Sequence, residues 1–302
     1  MNKNKLIIGG ILFAFALDLA VAVDPAKIDF HWNYKQRAAQ MLFEKKDYTG
    51  AQKAAEDLVA TAPDEQSKIK CLAISAVAMA HQGQYEQAIK KAQEIADKPV
   101  ADYTRMEIMT VGNKQPDLIA AFKDTDLAAW PTNIAYKGYL IRGEAYKVAQ
   151  DDKAALADME QAAARSGQDT AVQLETLNKI GTLYEKLQDQ AKALDAYRQV
   201  MEISATPRVK GAQRAYPAAI LAAARILKDQ KKYDEAIACL SRYEPSSTTS
   251  GLSVLDMSGD IYAAMGRKDE ALAKYREIVK LATDTKNKRF AERANKKMEE
   301  LK

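Results

Sequence analysis

Two histidines, two cysteines, scattered carboxylates and fourteen tyrosines are the residues in this 302-residue chain that could do chemistry. His31 and His81 stand far apart, without a HExxH context, a CxxC partner or the spacing of a zinc site, so they read as solvated or groove-lining side chains. Cys71 and Cys239 sit beside apolar residues on expected helices, where a thiol acts as a small hydrophobe. Asp151-Asp152, Asp229 and Asp234-Glu235 fall at expected inter-helix turns or first turns, where acids cap helices and meet the positive end of the macrodipole. The stretch from Ser246 to Ser250 is a loop without a GxSxG elbow, and beyond the N-terminal apolar run no GxxxxGK or GxGxxG phosphate cradle occurs. No catalytic, metal or cofactor grouping can be assembled from these residues, so the expectation is a protein that is not an enzyme.

The tyrosines lead to the elements that hold them. A small residue and an aromatic three positions on are followed nine residues later by Ala-x-x-x-(Tyr, Met or Leu), and variants of this pattern return seven times. Gly181 and Tyr184 lead to Ala193 and Tyr197; Gly143 and Tyr146 lead to Ala155 and Met159; Gly259 and Tyr262 lead to Ala271 and Tyr275. A period near 34 residues with this content means stacked helix pairs, none of which can bury its apolar face without its neighbours. Ten tyrosines then have core or inter-helix positions, leaving Trp32, Tyr34, Tyr103, Tyr136 and Tyr216 as the aromatics that could stand exposed as anchors.

These motifs resemble the tetratricopeptide repeat family. The resemblance implies an all-α fold, a right-handed superhelical solenoid of about seven helix-turn-helix units. They are expected at residues 32–63, 65–99, 101–130, 133–164, 172–203, 216–245 and 252–284, with a capping helix over 286–301. The third unit is degenerate: Tyr103 to Val111 and Pro116 to Phe122 form its helices, and the apolar stretch from Asp126 to Pro131 seats Trp130 or makes a contact site. Between Ala193 and Ala236 the period lengthens, so the stretch from Ser204 to Arg214, with Arg208, Lys210 and Arg214, forms either a contact loop or a longer first helix. Phe290, Ala294, Met298 and Leu301 give the last helix one apolar stripe, as the cap of an array requires. Cys71 and Cys239 lie about four repeats apart, too far for an intramolecular disulfide.

At the N-terminus, Lys3 and Lys5 precede the apolar run from Leu6 to Leu17, and Ala20-Val21-Ala22 has the small residues that a signal peptidase reads. Residues 1–22 are therefore expected to be a signal peptide, residues 23–302 the solenoid, and the location periplasmic or secreted. The alternative is an inner-membrane anchor, against which Asp18 counts because a carboxylate in the apolar run is costly. Basic and acidic residues number 45 and 41 and intermix, so no footprint for nucleic acid stands out.

In the resembled family the first helices line a concave groove that receives a peptide or protein. That face falls here on Asn33, Gln36 and Gln40, on Lys137, Glu144 and Lys147, on Asn178, Thr182 and Lys186, on Arg225 and Lys228, and on Asp256 and Asp260. The resemblance thus implies a non-enzymatic, exported interaction scaffold with a protein or peptide partner. A membrane-anchored scaffold and a glycan-binding or enzyme accessory protein are the alternatives.

Overall fold

The computed structural model describes residues 30–301 apart from 168, 206–208, 210, 245–247 and 285–286, and every regular element among them is helical. The signal-peptide region lies outside the described residues. Among those described, no helix is long and apolar enough to cross a membrane.

Two compact units divide the chain, residues 1–167 and 168–302. The first holds α1 (Phe30–Glu44), α2 (Tyr48–Val59), α3 (Glu65–His81), α4 (Tyr85–Gln93), α5 (Lys98–Val111), α6 (Gln115–Phe122), α7 (Thr132–Val148) and α8 (Asp152–Arg165). The second holds α9 (Thr170–Lys186), α10 (Gln190–Ser204), α11 (Ala212–Asp229), α12 (Tyr233–Leu240), α13 (Thr249–Ala264), α14 (Lys268–Asp284) and α15 (Lys288–Glu300). Successive helices pair within each unit, and α3, α5 and α7 of the first, like α9, α11 and α13 of the second, also pack side by side. This is the architecture of an α-solenoid.

One turn joins the two helices of every described pair. Lys46, Gly83, Asn113, Gln150, Gln188, Lys231 and Gly266 occupy the left-handed region, with φ between 55° and 82°. The N–H of the following residue then reaches back to the carbonyls of Leu42, Met79, Met109, Tyr146, Tyr184, Leu227 and Tyr262 at 2.8–3.0 Å. That is the Schellman closure, which satisfies an orphan carbonyl at a helix end. In three turns the same residue opens the next helix: the carboxylates of Asp47, Asp151 and Asp189 accept from the N–H groups of Gly50, Ala154 and Lys192 at 2.9, 3.1 and 3.1 Å.

The sequence boundaries shift in two places. Pro99, assigned to the end of the second unit, stands in the first turn of α5, where its missing N–H costs nothing. The sixth unit starts at Ala212 rather than Tyr216, because α11 extends through Arg214 and carries Pro217 inside it; the intervening Arg208 and Lys210 lie outside the described residues. Trp130 is buried, its ring against Gly138, where an added Cβ would meet Cζ3 at 3.0 Å. Ala294 is buried too, and Phe290, Met298 and Leu301 pack against the cluster of Leu252, Leu255, Tyr275 and Ile278.

Candidate functional site: the inner faces of the first helices

The pairs α9–α10 and α13–α14 show how the repeat positions its polar groups. Gly181 and Gly259 leave room for a ring from the second helix: a Cβ on either would stand 2.5 Å from Cε1 of Tyr197 or Tyr275. Each ring therefore crosses the first helix and brings its hydroxyl to that helix's inner face. There Tyr197 donates to Glu185 Oε1 at 2.7 Å, and Tyr275 donates to Asp260 Oδ1 at 2.7 Å. The family model for the tetratricopeptide repeat matches residues 174–207, and a second tetratricopeptide repeat model matches residues 253–285, the two pairs built in this way. The chain carries tetratricopeptide repeats.

A solved structure agrees on the fold. RapI in its apo form superposes with a TM-score of 0.62 at 10% identity, over 87% of this chain and 80% of RapI. YrrB, described as a tetratricopeptide-repeat protein with an unusual peptide-binding site, gives a TM-score of 0.47 at 18% identity, over 70% of this chain and 97% of YrrB. The C-terminal part of a repeat-containing protein from Cytophaga hutchinsonii gives 0.45 at 17% identity, over 88% and 95%. Among curated proteins none matches the chain in sequence.

In this repeat protein the inner-face carboxylates are shared with the next first helix. Glu185 pairs with Arg225 of α11 through its second oxygen. Asp256 and Asp260 both bind Lys297 of α15, at 2.9 and 2.6 Å, and Asp256 also binds Arg293 at 2.9 Å. Burial first, and the bond to Glu185 with it, push the Tyr197 hydroxyl up to about 12 against the opposing bond to Thr182. Burial and then Asp260 raise Tyr275 further. The Glu185 bond raises Arg225 above its ordinary value. Both phenols therefore stay protonated donors at neutral pH, and the carboxylates stay engaged.

The residues assigned to a partner-binding face meet different fates. Asp256 and Asp260 do not form an open face, because the capping helix occupies both carboxylates. Arg225 is exposed but tied to Glu185. Asn178 donates to the Ala215 carbonyl at 3.1 Å, stitching α9 to the first turns of α11, and its Oδ1 is buried without a hydrogen-bond partner. Thr182 caps the Asn178 carbonyl at 3.0 Å and faces the Tyr197 hydroxyl. Lys186 is exposed and Lys228 half-buried.

In the first unit, Asn33 is exposed on α1, Gln36 and Gln40 are half-buried, and Gln40 donates to Glu44 at 3.2 Å. On α7 Lys137 lies over the Tyr136 ring at 5.8 Å, while Glu144 and Lys147 pair at 2.5 Å. Beside them on α5, Tyr103 donates to Glu107 Oε1 at 2.7 Å, and burial pushes the Glu107 carboxyl up to about 8 against the pull of Tyr103 and Lys137.

Two expectations about aromatic and histidine side chains are corrected. Trp32, Tyr103 and Tyr136 are buried rather than exposed anchors; of the five only Tyr34 stands well out, at 74% exposure, with Tyr216 half-buried. His81 is half-buried and packed rather than simply solvated: it stacks on Tyr48 at 4.1 Å with planes 3° apart and meets the edge of Phe43. Cys71 and Cys239 are buried free thiols, and burial pushes Cys71 up to about 11, so both are poor nucleophiles. No group of three or more His, Cys, Asp or Glu side chains suited to a metal ion occurs among the described residues.

Sequence reasoning missed Glu185, Arg293 and Lys297, which organise the inner face of the second unit. A usable signal existed. Arg293 and Lys297 are four apart on a helix whose apolar stripe was recognised, so they share one flank of it.

Proposed function

We propose that the protein is a non-enzymatic scaffold that holds a peptide or protein partner on the inner faces of its first helices. The observation that carries this reading is the use of the repeat itself. On α9 a polar row holds Thr182 and Lys186 as exposed side chains beside the fixed Glu185–Arg225 pair. Fixed side chains lose little freedom on binding, which favours such a row as a recognition surface. The expected contacts are Asn33, Gln36, Gln40, Lys137, Glu144, Lys147, Thr182, Lys186 and Lys228.

Export of the mature chain, beginning at Val23, belongs to the same proposal. The pattern of Lys3, Lys5, the apolar run and Ala20-Val21-Ala22 supports it. Amino-terminal sequencing of the protein from the envelope fraction tests it, and recovery of intact residues 1–22 in membranes would sink it.

Co-purification from that fraction names the partner. Titration then compares wild type with Lys186→Glu at fixed salt, because exposed charges are screened. The expected outcome is weaker binding with an unchanged melting profile. Equal affinities would move the site off the first-helix faces.

A further inference from the structure

The last helix of the second unit is lightly seated. α15 packs along α14 and buries one residue, Ala294, whereas α13 buries seven of its sixteen. Phe290, Met298 and Leu301 stay half-buried on the cluster of Leu252, Leu255, Tyr275 and Ile278. Ion pairs complete the attachment: Lys297 binds Asp256 and Asp260 and stands over the Tyr275 ring at 5.5 Å, and Arg293, itself 46% exposed, binds Asp256. A helix held by partly exposed side chains and salt-screened pairs belongs to the low-stability end of a fold, so it opens before its neighbours do.

What α15 covers suits a cation beside an apolar strip. Asp256 and Asp260 stand four apart on α13, where like charges repel, and Asp256 is only 15% exposed, so both need a positive group against them. Tyr275 fixes Asp260 from behind, donating to it at 2.7 Å. Next to these acids lie Leu252, Leu255 and Ile278, which the apolar side chains of α15 cover.

The chain itself supplies the pattern that fits. Arg293 and Lys297 share one flank of α15, and Phe290, Ala294, Met298 and Leu301 form the stripe beside them. We propose that α15 is a displaceable occupant, and that the surface it covers docks a basic amphipathic helix of a partner protein, with cations four apart flanking an apolar stripe. A partner competes with the tethered helix, so its apparent affinity is reduced in proportion to the fraction of chains in which α15 is open. This surface is separate from the row on α9 and stands whether or not that row binds a partner.

The test uses the full chain and two labelled peptides: residues 287–302, and the same sequence with glutamate in place of Arg293 and Lys297. Hydrogen exchange of wild type is expected to run at least about tenfold faster across α15 than across α14, and faster still in high salt. That arm needs no variant, so a folding defect cannot mimic it. In anisotropy titrations the first peptide should bind the chain carrying Arg293→Glu and Lys297→Glu at least about tenfold more tightly than wild type, because that chain's own α15 no longer competes. Adding Asp256→Asn and Asp260→Asn should abolish the binding, and the glutamate peptide should not bind. Equal protection of α15 and α14, no binding to the released chain, or equal binding of the two peptides would each overturn the proposal. A concentration-dependent dimer of wild type in sedimentation would assign the surface to a second copy and overturn it as well.

Discussion

Replacing Gly181 by alanine adds one methyl group, and ordinarily that would stabilise a helix by about 0.8–1 kcal/mol. Here the methyl would stand 2.5 Å from Cε1 and 2.6 Å from Cζ of Tyr197, where carbon contacts normally settle at about 3.5–4.0 Å. The ring must retreat by about 1 Å. It cannot do so and keep its 2.7 Å bond to Glu185, whose other oxygen holds Arg225. Overpacking costs about 1–3 kcal/mol and a weakened bond to a carboxylate about 1.5–3, so after the helix gain the net loss is about 2 kcal/mol or more. Gly181→Leu should lose more. Gly143→Ala is the comparison: its nearest neighbours are Asp158 Cβ and the flexible end of Met159 at 3.2 Å and the Ala155 carbonyl oxygen at 3.3 Å, so its loss should be clearly smaller than that of Gly181→Ala. Urea unfolding by far-ultraviolet circular dichroism gives the stability, and hydrogen exchange across α9 and α10 gives its location. Tyr197→Met, borrowing the fourth unit's solution, should rescue part of the loss in a double-mutant cycle. A Gly181→Ala midpoint at or above that of wild type would refute the reasoning.

Arg142→Met should cost about 3–5 kcal/mol, because it strands the buried Asp158, bonded at 2.8 and 2.9 Å, and strips a donor from the Phe122 and Thr125 carbonyls. Adding Asp158→Leu should recover much of that, and a double variant no better than the single one would count against the account. Gln188→Gly should stabilise the chain by about 0.5–1 kcal/mol, since glutamine there holds φ at 62°; an unchanged urea midpoint would contradict this. For His81, burial first and Lys46 second hold the imidazole below its ordinary value of 6.5. The unfolded chain therefore takes the proton first, so this contribution is complete above about pH 6.5 and is lost as the pH falls towards the lower folded value. His81→Phe should flatten the stability profile over that acid limb, and parallel profiles for the two proteins would disprove the link.

The architecture was legible because its determinants are local and repeat: small residues where helices cross, apolar residues at helical spacing, and an aromatic near the end of α1, α7, α9 and α13. The joining turn was less so. Only Gly83 and Gly266 advertise its left-handed residue, while Lys46, Asn113, Gln150, Gln188 and Lys231 adopt the same conformation under the force of the Schellman closure and the packing on either side. A position dictated by what flanks it leaves no mark on its own identity.

The candidate site was harder still, for a related reason. Spacing within one helix says which residues share a face but not what the next helix brings to that face. Asp256 and Asp260 are two acids on an inner row until α15 supplies Arg293 and Lys297, and Glu185 is one more surface glutamate until Tyr197 reaches it past Gly181 and Arg225 reaches it from α11. The small residue therefore does more than let two helices approach. It opens a passage through which the second helix orients a carboxylate on the opposite side of the first, and the next helix then neutralises that carboxylate. The pairs with Gly181 and Gly259 use tyrosine for this, whereas the pair with Gly143 places Met159 there and leaves Arg142 and Asp158 to bond each other in the interior. Charge on these rows is consequently set pair by pair.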